Sequence, residues 1–223
     1  MSLVRVCAVS KGYAVARAET VQALRDVSCS FAARSWTTIT GHSGSGKSTL
    51  LSLIAALDRP TSGEIIVDDL VVSHASDVIQ ARYRKERIGI VFQEYRLFEQ
   101  LSAWENVALP LVVTGLSAGQ RRQKASELLD RVGLGSRLGH LPRQLSGGER
   151  QRVALARSLV HDPEIILADE PTSNIDQETA FQVISIFRQL RESGHTLIVV
   201  SHDPRLAEAA DQILTLDQGR LVS

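Results

Sequence analysis

Residues 41–49 read Gly41-His42-Ser43-Gly44-Ser45-Gly46-Lys47-Ser48-Thr49 and match the phosphate-binding pattern G-x-x-x-x-G-K-[ST]. We expect Gly44 and Gly46 to let the backbone approach phosphate oxygens, because neither has a Cβ in the way. Backbone N–H groups and the start of the following helix would then hold the anion. Lys47 would reach the β- and γ-phosphates, and the Ser48 hydroxyl could bind Mg²⁺. The loop therefore predicts a nucleotide site between a strand and a helix.

Composition and charge limit the classes of function. The 223 residues carry 25 basic and 25 acidic side chains, so no overall field draws the chain to nucleic acid or an anionic membrane. Met1 to Arg5 lack the features of a signal peptide, and no apolar run approaches the roughly 20 residues that cross a bilayer. Cys7 and Cys29 lack metal-binding spacing, which favours two buried thiols in a reducing cytosol. We expect a cytoplasmic chain that reaches a membrane only through a partner.

The apolar pattern predicts an α/β fold with a mostly parallel core sheet and an N-terminal antiparallel β-subdomain. Helical patterns dominate from 94 to about 160 and indicate an inserted α-helical subdomain. We expect one domain over 1–223, whose core and β-subdomain comprise 1–93 and 161–223. Predicted strands cover 3–9, 21–31, 36–40, 64–67, 70–72, 88–92, 165–168, 196–200, 213–216 and 220–222, with a turn at 11–13 and a loop over 14–20. Predicted helices cover 48–57, 76–87, 117–132, about 146–160 and 177–192, and Ser102 with Glu105 has capping-box spacing.

Four polar side chains stand at the ends of predicted buried strands. Asp169 suits Mg²⁺ and Glu170 could orient or deprotonate an attacking water, although the two could also be a solvated acidic pair. Gln93 could hold Mg²⁺ or the attacking water, or be only a polar strand end. His202 could contact a γ-phosphate or relay a proton, or be a capping or core residue. Functional residues at strand ends are typical of doubly wound α/β folds.

Ser146, Gly147 and Gly148 form a second glycine-bearing helix start, which is another anion-ready N-terminus. Two explanations are open for two phosphate-ready sites in one small domain. Each chain could bind two separate ligands. Alternatively, two chains could form a head-to-tail dimer in which the Ser146 helix of one covers the nucleotide on the other's 41–49 loop, creating two composite sites.

The order of these motifs resembles the ATP-binding-cassette (ABC) ATPase family, a group of P-loop NTPases with a RecA-like core, over essentially the whole chain. The matching motifs are the Walker A loop (41–49), the Q-loop (Gln93), the LSGGE signature (145–149), the Walker B strand with its glutamate (165–170), the D-loop (173–176) and the H-loop (His202). The resemblance implies ATP and Mg²⁺ as ligands and an ATP-dependent sandwich homodimer.

The resemblance also assigns roles to individual residues. It implies that Tyr13 stacks on adenine, although a tyrosine in a turn could simply pack on the surface. It implies that the signature contacts the partner's nucleotide. The implied nucleotide contacts are Tyr13, Gly41, Ser43, Gly44, Ser45, Gly46, Lys47, Ser48, Thr49, Ser146, Gly147 and Gly148; the implied catalytic residues are Gln93, Glu170 and His202; and the implied Mg²⁺ ligands are Ser48, Gln93 and Asp169.

Four further stretches, 57–63, 87–93, 105–111 and 168–174, are similar to the MacB/LolD-like branch of macrolide, lipoprotein and glycolipid (DevA-type) exporter ATPases. The resemblance implies a separate permease with a large extracytoplasmic domain, which would hold the ATPase on the inner face of the membrane. His42 departs from the frequent proline and Ile175 from the usual leucine. A regulatory ATPase similar to the nearby FtsE, controlling an envelope complex, remains an alternative. A soluble ABC ATPase that acts on nucleic acid is a further alternative.

Apolar side chains after Gln93 suggest where such a permease would dock. A short helix of the permease could enter a groove that they form. The same side chains could instead pack inside the helical subdomain. They are Tyr95, Leu97, Phe98, Leu101 and Trp104.

Overall fold

The computed structural model describes residues 2–15 and 19–222. Its strands are β1 (Ser2–Val15), β2 (Glu19–Ala32), β3 (Trp36–Thr40), β4 (Ser62–Val67), β5 (Leu70–Val71), β6 (Ile88–Val91), β7 (Ile165–Asp169), β8 (Thr196–Val200), β9 (Gln212–Asp217) and β10 (Arg220–Leu221). Its α-helices are α1 (Lys47–Ile54), α2 (Asp77–Arg87), α3 (Ala103–Ala108), α4 (Ala118–Arg131), α5 (Gly147–Ser158), α6 (Gln177–Glu192) and α7 (Pro204–Glu208). Short 3₁₀ helices cover Val72–His74, Leu109–Thr114, Gly135–Arg137 and Pro142–Gln144.

The core sheet has the strand order β10-β9-β3-β8-β7-β6, and every neighbouring pair is parallel except β10 with β9. Strands β7 and β8 are almost entirely buried, as expected for strands covered by helices on both faces. In register, Thr38 pairs with Val199 and Leu167 with Ile198. The carboxyl ends of β3, β7 and β8 therefore meet at one edge, which places the 41–49 loop beside the residues that follow β7 and β8.

The second sheet is antiparallel, in the order β2-β1-β4-β5. It confirms the predicted β-subdomain and the β4–β5 hairpin, but it corrects the prediction for 11–20. Residues 11–13 are not a turn, because β1 continues to Val15 and pairs Lys11, Gly12 and Tyr13 with β2. Strand pairing over this long hairpin outweighs the local turn signal of Gly12. Of the loop predicted over 14–20, residues 14, 15, 19 and 20 instead belong to the paired strands β1 and β2, and residues 16–18 lie outside the described part of the chain.

The helices between β6 and β7 confirm the predicted local signals. Ser102 and Glu105 form the predicted capping box at the start of α3, and a further capping box, which was not predicted, joins Ser117 and Gln120 at α4. α1 ends at Ile54, earlier than predicted, because a turn follows it. α7 was not predicted; Asp203 caps it and Pro204 occupies its first turn.

Two apolar clusters hold these layers together. One joins the helices between β6 and β7 to α6 and one face of the core sheet, and includes an edge-to-face pair of Trp36 and Phe187 with ring centroids 5.8 Å apart. The other packs α1 and the antiparallel sheet on the opposite face.

Cys7 and Cys29 are half-buried rather than buried as predicted. Burial, with Cys7 nearby, raises the pKa of the Cys29 thiol to about 12. Across 2–15 and 19–222, no helix has both the length and the apolar character needed to cross a membrane.

Candidate nucleotide site

The 41–49 loop turns from β3 into α1 through glycines that tolerate little else. Gly41 and Gly46 have φ of 142° and 104°, and a Cβ there would lie 2.1 Å from Leu216 O and 2.3 Å from Ala23 O, respectively. Gly44 also has positive φ, at 78°, but a Cβ on it would meet open space. Gly46 is thus required by close packing against β2, whereas Gly44 is required by its backbone conformation alone.

Lys47 opens α1 and is largely buried, with 7% of its surface exposed. Its Nζ donates to Gly41 O at 2.8 Å and to His42 O at 2.9 Å, so the ammonium lies under the loop that it belongs to. Ser45 lies on the inner side as well. It is 4% exposed, and its N–H donates to His42 O at 3.1 Å. The structure therefore does not direct the Ser45 side chain to the open face of the loop.

Ser48 and Asp169 meet across the sheet edge. The Ser48 hydroxyl donates to Asp169 Oδ1 at 3.0 Å. Burial raises the pKa of Asp169, with a smaller contribution from Glu170, while the Ser48 hydrogen bond and the Lys47 charge oppose that rise. A hydroxyl and a carboxylate are oxygen donors of the kind that Mg²⁺ prefers, so these two side chains fit a magnesium ion.

Glu170 and His202 form the next pair along the edge. Glu170 has φ of 46°, which is uncommon for a residue other than glycine. This backbone turn brings Glu170 Oε2 to 2.9 Å from His202 Nδ1 and 3.2 Å from the Ser201 hydroxyl, which donates to it. The glutamate side chain is 13% exposed and the histidine 70%, so a sheltered carboxylate stands beside an accessible imidazole.

A cleft of about 600 Å³ lies over these groups, a size typical of ligand pockets. It brings together the predicted residues Gly41, Ser43, Gly44, Gly46, Lys47, Ser48, Thr49, Gln93, Glu170 and His202, with His42. β2 supplies one wall that none of the sequence motifs predicts, through Val21, Gln22 and Ala23. The strand alternation was the available signal, because it leaves Val21 exposed opposite Tyr13.

Tyr13 does not line this cleft but lies at its margin. The phenol is held by Asp58, whose Oδ2 accepts from Tyr13 Oη at 2.9 Å. Lys11 donates to Asp58 Oδ1 at 2.6 Å and lies 4.9 Å from the centroid of the Tyr13 ring. Burial and the Asp58 hydrogen bond raise the pKa of Tyr13, and a hydrogen bond involving Thr49 opposes that rise. Tyr13 is therefore anchored next to the end of the 41–49 loop.

Ser146, Gly147 and Gly148 lie away from the cleft. The Ser146 hydroxyl accepts from Glu149 N at 3.2 Å and so caps α5. A Cβ on Gly147 would be 3.2 Å from Asn174 O, and one on Gly148 would be 2.0 Å from the Thr179 methyl group. These glycines permit close packing of α5 against the start of α6. Within one chain, the signature and the 41–49 loop do not share a site.

The apolar residues after Gln93 were predicted either to form a docking groove or to pack inside the helical subdomain, and the structure shows some of each. Leu97 and Trp104 pack against the apolar cluster of the helical region. Phe98 is 53% exposed, as are Val112 at 56% and Val113 at 76% on the neighbouring 3₁₀ helix. The predicted docking groove is therefore not a single surface, and its role stays a prediction.

Several known proteins are similar to this chain over most of its length. A family model described as ABC transporter matches residues 24–173. An uncharacterised ABC transporter ATP-binding protein of Thermotoga maritima is 47% identical over 201 residues, which are 90% of this chain and 86% of that protein. The macrolide export ATP-binding/permease protein MacB of Salmonella typhimurium is 42% identical over 221 residues, or 99% of this chain, but the chain spans only 34% of MacB.

Solved structures give the same result. A dimeric ATP-binding cassette in a post-hydrolysis state, bound to ADP and Pi, superposes with a TM-score of 0.93 at 38% identity and covers 99% of this chain and 97% of that one. The cbiO1 protein of Clostridium perfringens, part of the ABC transporter complex cbiONQ, has a TM-score of 0.87 at 26% identity and covers 100% of this chain and 87% of that one. The chain therefore belongs to the ABC transporter family and is one of its ATPase cassettes.

Proposed function

We propose that the chain binds and hydrolyses ATP in its cleft and uses the reaction to drive a separate membrane permease. The observation that carries the proposal is the arrangement at the sheet edge. Lys47, Ser48 and the Glu170–His202 pair line one cleft, and Asp169 accepts a hydrogen bond from Ser48 behind it. These groups supply phosphate binding, oxygen ligands and a base within one site. A structural relative solved with ADP and Pi supports the same chemistry.

Each side chain has a proposed task. The loop amides and Lys47 bind the phosphates, and Tyr13 stacks on the adenine from its position beside Thr49. Ser48, Asp169 and Gln93 hold Mg²⁺, which when bound neutralises charge on the phosphate oxygens. Glu170 orients the attacking water and accepts its proton. His202, held by Glu170, contacts the γ-phosphate.

The signature residues serve a second copy of the chain. Ser146 to Gly148 begin a helix whose N-terminus can receive an anion, yet they do not line the cleft of their own chain. A head-to-tail homodimer that places them over the partner's nucleotide accounts for both facts. Dimeric cassettes among the structural relatives support this arrangement. ATP binding would close the dimer and hydrolysis would open it.

The permease partner is inferred from the relatives. MacB carries an ATP-binding part and a permease in one protein, and this chain matches about a third of its length. The cbiO1 relative is part of a multi-subunit transporter complex. We propose a MacB-like permease with a large extracytoplasmic domain, and a position for this chain on the cytoplasmic face of the membrane. Export or extrusion of a lipid, lipoprotein or peptide is the proposed task.

Glu170→Gln tests the proposed reaction. The amide keeps the size of the side chain but cannot accept the proton from water, so kcat should fall about 100- to 10,000-fold. ATP affinity should change little, and ATP should retain the variant as a dimer in gel filtration. Glu192→Gln, at the exposed end of α6, is the matched control and should behave as the unaltered chain. Full turnover by Glu170→Gln would refute the assignment.

The same variant tests the partner. Tagged Glu170→Gln protein should be captured from detergent-solubilised membranes with ATP, and its partners identified by mass spectrometry. A multi-span protein with a large extracytoplasmic domain is the expected companion. A permease without that domain would overturn the MacB-like assignment, and a non-transporting envelope enzyme would indicate a regulatory ATPase instead.

A further inference from the structure

The loop that carries Gln93 is held by a contact between the residues at its two ends. It comprises residues 92–96, the first part of the irregular segment that joins β6 to α3. The guanidinium carbon of Arg96 lies 4.0 Å from the centroid of the Phe92 ring, so a cation–π contact joins the first and last residues of the loop. Arg96 has φ of 49°, in the left-handed region that non-glycine residues seldom adopt. Gln93 thus lies at a bend in a segment whose two ends contact each other.

Arg157, in the last turn of α5, holds this loop by its backbone. Its Nη1 donates to Arg96 O at 2.6 Å and its Nη2 donates to Tyr95 O at 2.7 Å. Burial, with the Arg96 charge as a smaller cause, lowers the pKa of Arg157. No carboxylate forms an ion pair with Arg157 anywhere in 2–15 or 19–222. The two carbonyls are therefore the groups that compensate its desolvation.

The end of α5 is also fixed against the strand that leads into the loop. A Cβ on Gly89 of β6 would lie 2.5 Å from Ser158 O, so only glycine allows this approach. At the other end of α5, a Cβ on Gly147 would lie 3.4 Å from Tyr95 Oη, and that phenol donates to Asn174 O at 3.4 Å. The loop therefore contacts α5 at both ends of the helix, through Arg157 at one end and Gly147 at the other.

We propose that Arg157 is a positioning residue for Gln93. By donating to two consecutive carbonyls, it sets where the backbone of the loop lies and hence where the Gln93 amide enters the cleft. The inference rests on the proposed function of the cleft. A merely structural arginine would also stabilise the fold, but its effect on catalysis would not depend on whether residue 93 is glutamine.

A double-mutant cycle separates these two cases. The variants are Arg157→Gln, Gln93→Ala and the double variant, with Mg²⁺-dependent ATPase activity measured for the full chain. Arg157→Gln should lower kcat by about 10- to 100-fold, the usual cost of losing a group that orients a metal ligand, and change the KM for ATP by less than about twofold. In the Gln93→Ala background the same change should cost less than about twofold. Effects that multiply independently would overturn the proposal.

Hydrogen exchange provides a readout that needs neither metal nor turnover. In nucleotide-free protein, amides of 93–96 should exchange faster in Arg157→Gln than in the unaltered chain, while those of β7 should not change. Unchanged exchange at 93–96 would also overturn the proposal. Arg157→Lys keeps the charge but loses the planar two-nitrogen geometry, so it should fall between Gln and Arg in both measurements. It replaces Arg157→Gln in the cycle if the thermal midpoint shows that the glutamine variant does not fold.

Arg188→Gln is the matched control, because Arg188 is exposed on α6 and its loss removes the same charge. It should leave activity and exchange unchanged.

A failure of the proposed function itself would give a different result. In that case the unaltered chain would neither bind nor hydrolyse ATP, whereas a failure of this inference leaves its ATPase activity intact.

Discussion

At the scale of single residues, tertiary contacts give similar side chains different properties. Asp169 and Glu170 are adjacent in sequence, yet they face different partners. Asp169 is half-buried, accepts from Ser48, and has a pKa that burial raises. Glu170 turns through a left-handed backbone to face His202 and Ser201. The proposed division into a metal ligand and a base therefore rests on the surroundings of the two carboxylates rather than on residue type.

Tyr13 provides a prediction at this scale. If the ring stacks on adenine, Tyr13→Ala should weaken ATP binding about tenfold, since base–aromatic stacking contributes about 1–3 kcal/mol. Tyr13→Phe keeps the ring but lacks the hydrogen bond to Asp58, so its affinity for ATP should fall less than that of Tyr13→Ala. Titration of each variant with ATP would measure these affinities, and titration with a ribose triphosphate that lacks the base would show how much of each change comes from the base. Equal ATP affinity for Tyr13→Ala and the unaltered chain would mean that Tyr13 only packs on the surface.

Asp203 provides a prediction about pH. Its pKa is lowered, chiefly by the hydrogen bond from Arg205, although burial opposes this. A lowered folded-state pKa means that this stabilisation is fully present above the ordinary value of about 3.9 and is lost as pH falls through the folded-state value. Asparagine caps a helix as well as aspartate does, but it loses the charge-assisted hydrogen bonds from Arg205, so Asp203→Asn should lower the free energy of unfolding by about 1 kcal/mol near pH 7.

The difference caused by Asp203→Asn should shrink as the pH falls below about 4. Chemical denaturation across this pH range measures it. Asp217→Asn, which alters an exposed aspartate, serves as the control. A difference that stays constant with pH would show that the carboxylate charge is not what stabilises this region.

At the scale of elements, the 41–49 loop depends on segments far from it in sequence. The turn between β9 and β10 supports it from behind, because Gly219 N donates to Ser45 O at 3.0 Å. Gly219 O in turn accepts from Arg25 N at 2.7 Å on β2. The loop thus rests on the β9–β10 turn and on β2. Its conformation is a property of three elements rather than of its own glycines alone.

Gly219 tests this support. Gly219 and Gly115 have the same φ of 78°, but a Cβ on Gly219 would lie 2.8 Å from Ala23 O, whereas one on Gly115 would meet nothing within 4 Å. Both alanine variants should lose about 1 kcal/mol of stability from backbone strain. Only Gly219→Ala should also weaken ATP binding, by about fivefold, a change worth roughly 1 kcal/mol. Equal ATP affinities in the two variants would show that the β9–β10 turn does not shape the loop.

At the scale of the whole molecule, one chain contains both halves of the proposed site but does not bring them together. The cleft contains Lys47 and Glu170, while Ser146 to Gly148 face elsewhere. A closed two-fold dimer would make two composite sites. The motif order predicts such an assembly, and the separation of the two halves within one chain is the structural argument for the proposed dimer.

Mixing two inactive variants tests the assembly. Lys47→Ala removes a phosphate ligand, and Ser146→Asp keeps the helix cap but places a negative charge near the partner's phosphates. Each variant alone should have little activity. A mixture should recover about a quarter of the normal rate, because about half of the dimers are mixed and each has one intact site. Ser146→Asn is the neutral control, and a mixture as inactive as its components would argue against composite sites.

The sequence alone determined the features that depend on near neighbours. Phosphate-loop spacing, apolar runs such as 165–168 and capping residues such as Ser102 express local preferences that spacing reveals, and they sufficed for the fold class and family. Tertiary structure alone decided which distant groups meet. It continued β1 through Lys11 to Tyr13, left the thiols half-buried, anchored Tyr13 on Asp58 and put Arg157 against the Gln93 loop. Such contacts arise from packing between elements far apart in the chain, which no local pattern specifies.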